Sequence, residues 1–268
     1  MGALGAGGPS RRTLSSRVGA TNASVIRWGL ERARTGPWRG DRRIAYLAPV
    51  PDAPVPSADF VRRCLDQLAA KGFSRVVTGA LSPIEQDGFL GAGFEVEERL
   101  HLLGRDLDDI PQPDRPAMAP YTMRRAGQRD RPAVLVLDNL AFPPFWRLDR
   151  DGLAEAISAT PSARFRVVAG PDGCPGDGTL GRVGYAVTGR AGRRGFLQRL
   201  AVHPARQGEG LGRWLVLDSL RWLRRRQIER VVVNTQLGNA RALALYESLG
   251  FRREPAGLSV LSVGLPPY

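Results

Sequence analysis

The chain has 268 residues, is 43% hydrophobic and carries a formal net charge of +13 at pH 7, which excludes a low-hydropathy disordered chain and suits two small domains with cores of their own. The charge raises a nucleic-acid binder as one class, but Lys71 is the sole lysine and Ala, Gly and Pro are also heavily used, so part of the arginine excess reflects composition. No stretch is apolar and long enough for a signal peptide or a bilayer span, and Cys64 and Cys174 have neither metal-site spacing nor a paired framework; a cytoplasmic chain with free thiols, no metal and no membrane partner is expected.

Residues 1–21, opening Met1-Gly-Ala-Leu-Gly-Ala-Gly-Gly-Pro, read as a disordered tail. In the segment from 22 to 105, Leu65-Asp-Gln-Leu68-x4-Phe73-Ser-Arg-Val76-Val matches Leu220-Arg-Trp-Leu223-x4-Ile228-Glu-Arg-Val231-Val at an offset of 155 positions (65 to 220). Phe89-Leu-Gly-Ala-Gly93-Phe94 lies against Tyr246-Glu-Ser-Leu-Gly250-Phe251, and Ala45-Tyr-Leu-Ala-Pro-Val50 against Leu200-Ala-Val-His-Pro-Ala205. An internal repeat accounts for all three matches; a generic helix-strand unit aligned by chance is the alternative. From Gly104 to Pro120, aspartates and prolines alternate in linker fashion, with 106–120 as the linker proper.

The second half begins with a strand at Tyr121–Arg125 and an apolar helix at Arg131–Ala141. The proline-broken segment Phe142-Pro-Pro-Phe-Trp146 follows, either lining a substrate groove or capping a core, and then a helix at Asp151–Ser158. Strands at Arg164–Ala169 and Arg182–Thr188 flank the turn at 171–178. Leu200-Ala-Val-His-Pro-Ala-Arg-Gln-Gly-Glu-Gly-Leu-Gly-Arg213 then runs from a strand end through a glycine-rich arc into a helix. Gly208, Gly210 and Gly212 permit tight turning and converge backbone N–H groups at the helix's positive end, a setting for pyrophosphate. The same glycines also suit a plain strand-to-helix turn. No Lys-Ser/Thr pair closes the loop and its glycine spacing is not a dinucleotide fingerprint. An amphipathic helix spans Glu209 to about Arg226, a buried strand Ile228–Val233, and an Asn239-capped helix stops at Gly250.

From about Tyr121 to Tyr268 these segments resemble the GNAT superfamily of acyl-CoA-dependent N-acyltransferases, including its bacterial ribosomal-protein N-terminal acetyltransferases. Gln207-x-x-Gly210-x-Gly212 is similar to that family's pyrophosphate loop, and Asn239 with Ala242, Leu245, Tyr246, Gly250 and Phe251 to its second signature. The resemblance implies an α/β fold with a mixed central sheet flanked by helices, in two tandem copies, and acetyl-CoA as acetyl donor. It implies cofactor contacts from Leu200, Ala201, Val202, Gln207, Gly208, Glu209, Gly210, Leu211, Gly212, Arg213, Asn239 and Tyr246, with 121–268 as the catalytic domain. The Val202 N–H becomes the oxyanion donor and Tyr246 the general acid, a core-packed tyrosine being the alternative. Phe142, Phe145 and Trp146 are the candidate substrate-binding residues.

The sequence departs from the family at the base. The usual glutamate positions match Gln198 and Asn234, neither of which takes a proton. An α-amino acceptor, with a reference pKa near 7.7–8.0, needs less help than a lysine at about 10.4. His203 is an alternative base, although a His-Pro pair after a strand is more often a turn. The first half has Phe89 where Tyr246 stands, and Pro51-Asp-Ala-Pro-Val-Pro-Ser57 in place of the glycine loop, so 22–105 reads as a degenerate GNAT-like copy without a CoA site. Arg193-Arg194 and Arg224-Arg225-Arg226 are expected to flank the cofactor site, as anion-attracting patches or as solvated helix surface. The expected activity is N-acetylation of a primary amine, a protein N-terminus or a small molecule. A non-catalytic CoA- or nucleic-acid-binding module is the rival.

Overall fold

The computed structural model describes residues 24–50, 53–108, 119–170 and 178–266. The tail at 1–21, most of the linker, and the turn at 171–177 with Cys174 therefore lie outside the described residues. The first half contains β1 (Ser24–Trp28), β2 (Glu31–Trp38), β3 (Asp41–Pro49), α1 (Ala58–Ala70), β4 (Arg75–Thr78), α2 (Pro83–Leu90) and β5 (Glu95–Asp106). The second contains β6 (Thr122–Arg125), α3 (Arg131–Ala141), α4 (Arg150–Ser158), β7 (Ser162–Ala169), β8 (Arg182–Ala191), β9 (Arg194–Val202), α5 (Leu211–Arg224), β10 (Arg230–Gln236), α6 (Ala240–Ser248), β11 (Arg252–Arg253) and β12 (Leu258–Gly264).

All of these strands form one mixed sheet in the order β1-β2-β3-β4-β12-β5-β10-β9-β8-β7-β6, with β11 alongside β5. The halves exchange strands. β12, from the end of the chain, lies between β4 and β5, and β5 pairs with β10 along Asp106↔Arg230 to Leu100↔Gln236. Gly104 and Asp106 thus belong to a strand rather than to the expected linker. A Cβ on Gly104 would meet the ends of the Glu254 and Arg230 side chains, and Asp106 accepts from Arg230 Nη1 at 2.7 Å.

Local chemistry explains the repeat. α1 and α5 each end in a positive-φ residue, Gly72 at 85° and Gln227 at 56°, 155 positions apart. Each is followed by the same local closure, Phe73 N–H to Leu68 C=O (3.2 Å) and Ile228 N–H to Leu223 C=O (3.3 Å). α2 and α6 close alike, with Phe94 N–H to Phe89 C=O and Phe251 N–H to Tyr246 C=O, both 3.1 Å. The corresponding ring pairs stand 5.3 and 5.7 Å apart. One core packs α1 and α2 on the first half, and another packs α5 and α6 on β10 and β5 through Leu217, Leu220, Leu223, Val231 and Val233. α3 and α4 cover β7–β9 on the other side through Val134, Leu137, Leu153 and Tyr185.

Candidate acyl-transfer site

The sheet opens at β9. Its parallel pairing with β10 covers only Arg194–Phe196 against Arg230–Val232, after which β10 follows β5. From Leu197 to Val202 the main chain is therefore paired on its β8 side alone among the described residues. His203 N–H donates to Val183 C=O (2.9 Å), and because antiparallel main-chain groups alternate in direction, Ala201 also faces β8 while Leu200 and Val202 face the opening. Val202 C=O accordingly accepts from Gln207 Nε2 at 3.2 Å. Ala201 has no main-chain group left for a ligand in that opening.

The arc beyond β9 ends at the mouth of this wedge. Gly208 and Gly210 take φ of 93° and 83°, where a side chain would be strained. The first helical bond of α5 runs from Trp214 N–H to Gly210 C=O (3.0 Å), which leaves the N–H groups of Leu211, Gly212 and Arg213 without helical acceptors at the positive end of the helix. Gly212 does not turn the chain. It sits inside α5, and a Cβ there would come within 3.2 Å of Leu245 Cδ2, so it lets α5 and α6 approach. Glu209 is drawn aside by Tyr121 Oη–H and by Arg206, 3.6 Å away. Asn239 caps α6, accepting from Ala242 N–H at 3.1 Å, and Arg241 holds the Gln207 side-chain oxygen.

Tyr246 is 5% exposed, its ring against Phe251. Burial pushes its pKa up, with the field of Arg199 opposing, so the phenol stays protonated at neutral pH. Gln198 is the extra residue of a β-bulge, lying between the Val187↔Arg199 and Thr188↔Leu197 pairs. Its side-chain oxygen is buried without a partner. Asn234 is exposed on β10. His203 is spent as a turn residue, its Nδ1 accepting from Ala205 N–H at 3.2 Å.

A buried cluster beside the wedge was not read from the sequence. Asp138 on α3 accepts from Leu148 N–H (2.8 Å), from Tyr185 Oη–H, and from Arg199 Nε (2.8 Å) and Nη2 (2.9 Å). Burial works against the charge of Arg199, but its bonds to Asp138 and the field of Tyr185 outweigh this and raise its pKa. Each carboxylate oxygen of Asp138 thus accepts two hydrogen bonds. Phe142 stacks on Arg199 at 3.5 Å, while Phe145 and Trp146 are half-buried with ring centroids 5.1 Å apart. The signal for the cluster was a lone carboxylate in the apolar helix Arg131–Ala141.

The arginine patches lie elsewhere. Arg193-Arg194 starts β9 and Arg224–Arg226 ends α5, so both sit a 14-residue helix, about 20 Å, from the glycine arc. Arg193, Arg224 and Arg226 line a separate cleft of about 590 Å³ with Asp108 and Glu229. The expectation that they flank the cofactor loop is thus corrected: consecutive elements run the length of the sheet, and these residues fall at its opposite end.

In the first half the same places are filled from within. The segment equivalent to Leu200–Val202 is Ala45–Leu47, and β4 pairs with it directly through Ala45↔Val76, Tyr46↔Val77 and Leu47↔Thr78. At the start of α1, the Glu31 carboxylate accepts from Ser57 N–H (2.5 Å) and Ser57 Oγ–H (3.2 Å). Cys64 lies in that half's core, and burial pushes its thiol pKa up to about 12.

A splayed parallel strand pair with a glycine arc and a helix start at its mouth, set in a sheet shared by two related halves, defines a tandem GNAT architecture. Residues 133–251 match the Acetyltransferase (GNAT) family and form a domain of that type. A tandem GNAT protein from the clavulanic acid biosynthesis pathway, solved without AcCoA, superposes with a TM-score of 0.65 at 15% identity, covering 95% of this chain and 87% of that one. A mycothiol acetyltransferase of Amycolatopsis mediterranei is 31% identical over 203 residues, 71% of this chain and 65% of the relative. Another, of Tsukamurella paurometabola, is 33% identical over 159 residues, 54% of this chain and 52% of the relative. Each of these two alignments spans less than two thirds of the curated relative. No helix among the described residues is long and apolar enough to cross a membrane.

Proposed function

We propose that the second half, from 121 to 268, is an acetyl-CoA-dependent N-acetyltransferase acting on a primary amine, and that the first half, from 22 to 105, carries no CoA site. The open edge of β9 beside the glycine arc is the observation that supports this most. Leu200 and Val202 offer main-chain groups at the spacing with which an extended pantetheine arm pairs like an added strand. The N–H groups from Gly208 to Arg213 suit a pyrophosphate, with Gln207 and Asn239 ordering the rim. The reaction joins the amine nitrogen to the acetyl carbonyl carbon and breaks the bond to sulfur, the amine proton going to solvent and the thiolate taking one from an acid.

Val202 N–H, fixed in its strand, faces the developing oxyanion, a donor of the kind worth about 3 kcal/mol. Tyr246, a phenol protonated at neutral pH, supplies the proton to sulfur. With Gln198 and Asn234 in the usual base positions, the amine binds neutral or loses its proton through water, which favours acceptors of low pKa. Among acceptors, a small amine of the mycothiol type is supported by the curated relatives; a protein N-terminal amine is the second class. Thiol release from acetyl-CoA, followed against a panel of small amino sugars and of tripeptides with free N-termini, tests the reading. Amine-dependent release that falls about a hundredfold in Tyr246→Phe supports it. Release that no amine stimulates, despite bound acetyl-CoA, favours the non-catalytic module.

A further inference from the structure

The two halves meet at a hairpin tip. β2 and β3 are joined at Arg39-Gly40, with φ of 50° and 78°, a tight turn in which a non-glycine residue at positive φ is uncommon. Arg39 reaches into the second half, and its Nη1 donates to Phe145 C=O (2.7 Å) and Arg147 C=O (2.9 Å). Its guanidinium lies 4.5 Å from the Trp38 ring and 5.5 Å from that of Trp146, and Trp38 packs on Phe145 at 5.6 Å. The carbonyl between those two, that of Trp146, accepts from Arg199 Nη2 at 2.6 Å. Three consecutive carbonyls are therefore held by two guanidinium groups, one from each half.

Two like charges converging on one short segment oppose each other. Burial, and then the field of Arg199, push the pKa of Arg39 down to about 10, with Asp138, Asp149 and Glu155 partly compensating. A planar fork that donates and stacks at once suits such a site, and a lysine has no equivalent geometry. Among the described residues, the first half has no helices corresponding to α3 and α4, and β4 stays paired with β3 along Ala45–Leu47. Its hairpin tip instead touches the segment on which Phe142, Phe145 and Trp146 stand. Arg199 connects that segment to β9, three residues before Val202.

We propose that Arg39 is a positioning residue for the acceptor side of the transfer site: the first half serves the reaction by clamping residues 145–147, and with them the aromatic wall that receives the amine. This rests on the reading of the second half as the acetyltransferase. The test compares the full chain with Arg39→Ala, Arg39→Lys and, as a control, Arg34→Ala, which removes another contact between the halves, an exposed ion pair with Glu155 at 3.9 Å. Hydrogen exchange reads the amides of Trp146, Arg147 and Leu148, each hydrogen-bonded in the folded chain. Calorimetry reads acetyl-CoA, and thiol release with the best amine of the panel reads turnover.

In Arg39→Ala, exchange at Trp146–Leu148 should quicken at least tenfold while the amides of β2 and β3 keep their protection. Acetyl-CoA affinity should stay within about twofold of the native value, and the KM for the amine should rise about tenfold with kcat changed less than threefold. Arg39→Lys should resemble Arg39→Ala, and Arg34→Ala should resemble the native chain. Unchanged exchange and KM in Arg39→Ala, or an equal response in Arg34→Ala, would overturn the proposal. Failure of the native chain to bind acetyl-CoA would instead remove the transferase reading, and the exchange result would still decide whether Arg39 holds the segment.

Discussion

The two halves are built from the same local pieces and leave their sheets in opposite conditions. β3 and β4 are zipped where β9 and β10 have parted, so that Ala45–Leu47 pairs with β4 while Leu200–Val202 faces an opening. The N-cap of α1 is engaged from within, Glu31 accepting from Ser57 N–H while Ser57 Oγ accepts from Phe60 N–H, whereas the start of α5 presents N–H groups without helical acceptors behind Gly208 and Gly210. On the proposed reading, the difference between a scaffold and a site lies in how far the parallel strands stay paired and in what meets a helix start. The second half also carries α3, α4 and the Asp138 cluster, for which the first has no counterpart among the described residues, and it is there that the first half's hairpin tip is seated.

The largest expected effect comes from removing what only the second half has. Asp138→Ala would strand the buried Arg199 guanidinium and the Tyr185 hydroxyl, and should cost about 3–5 kcal/mol in denaturant unfolding; a cost below about 1 kcal/mol would show that the cluster does not brace the site. Next, Tyr246→Phe should lower turnover about a hundredfold with acetyl-CoA affinity unchanged, giving the second half the phenylalanine that the first already has at Phe89. A loss of affinity instead would make Tyr246 a packing residue.

Acid offers a third test, through Asp130 at the start of α3. Hydrogen bonds from Arg124 hold its carboxyl far below the usual range, against burial and with help from Gly127 N–H and Arg182. A carboxylate depressed in this way contributes stability that is complete above the unfolded value near 3.9 and is lost as pH falls below it. The gap in thermal stability between the native chain and Asp130→Asn should therefore be constant from pH 7 to about 5 and shrink below pH 4; a gap that widens in acid would contradict the assignment. The smallest effect is expected at Glu31→Gln, about 0.3–1 kcal/mol from the lost charge at a helix start, with no CoA site gained, since β4 still fills the slot.

What could be read from the sequence was what local chemistry decides. Asn239 and Gly250 bound α6, Gly208 and Gly210 shape the arc, and the repeat was visible in Leu68-x4-Phe73 and Leu223-x4-Ile228, the residues whose main chains close each helix end. The placement of β12 between β4 and β5 was not legible, because partner choice in a sheet depends on segments far apart. The same holds for Arg39 and Phe145, 106 positions apart, and for Asp138 and Arg199, 61 apart. The arginine pairs were misplaced because neighbours along the chain lie at opposite ends of a strand and a helix.

Calorimetric titration of the intact chain with acetyl-CoA tests the contrast between the halves most directly. One site per chain is predicted, weakened at least about a hundredfold by Gly210→Asp, which adds strain and a negative charge at the arc, and unaltered in number by Glu31→Gln. Two sites per chain, or binding that survives Gly210→Asp, would contradict the account.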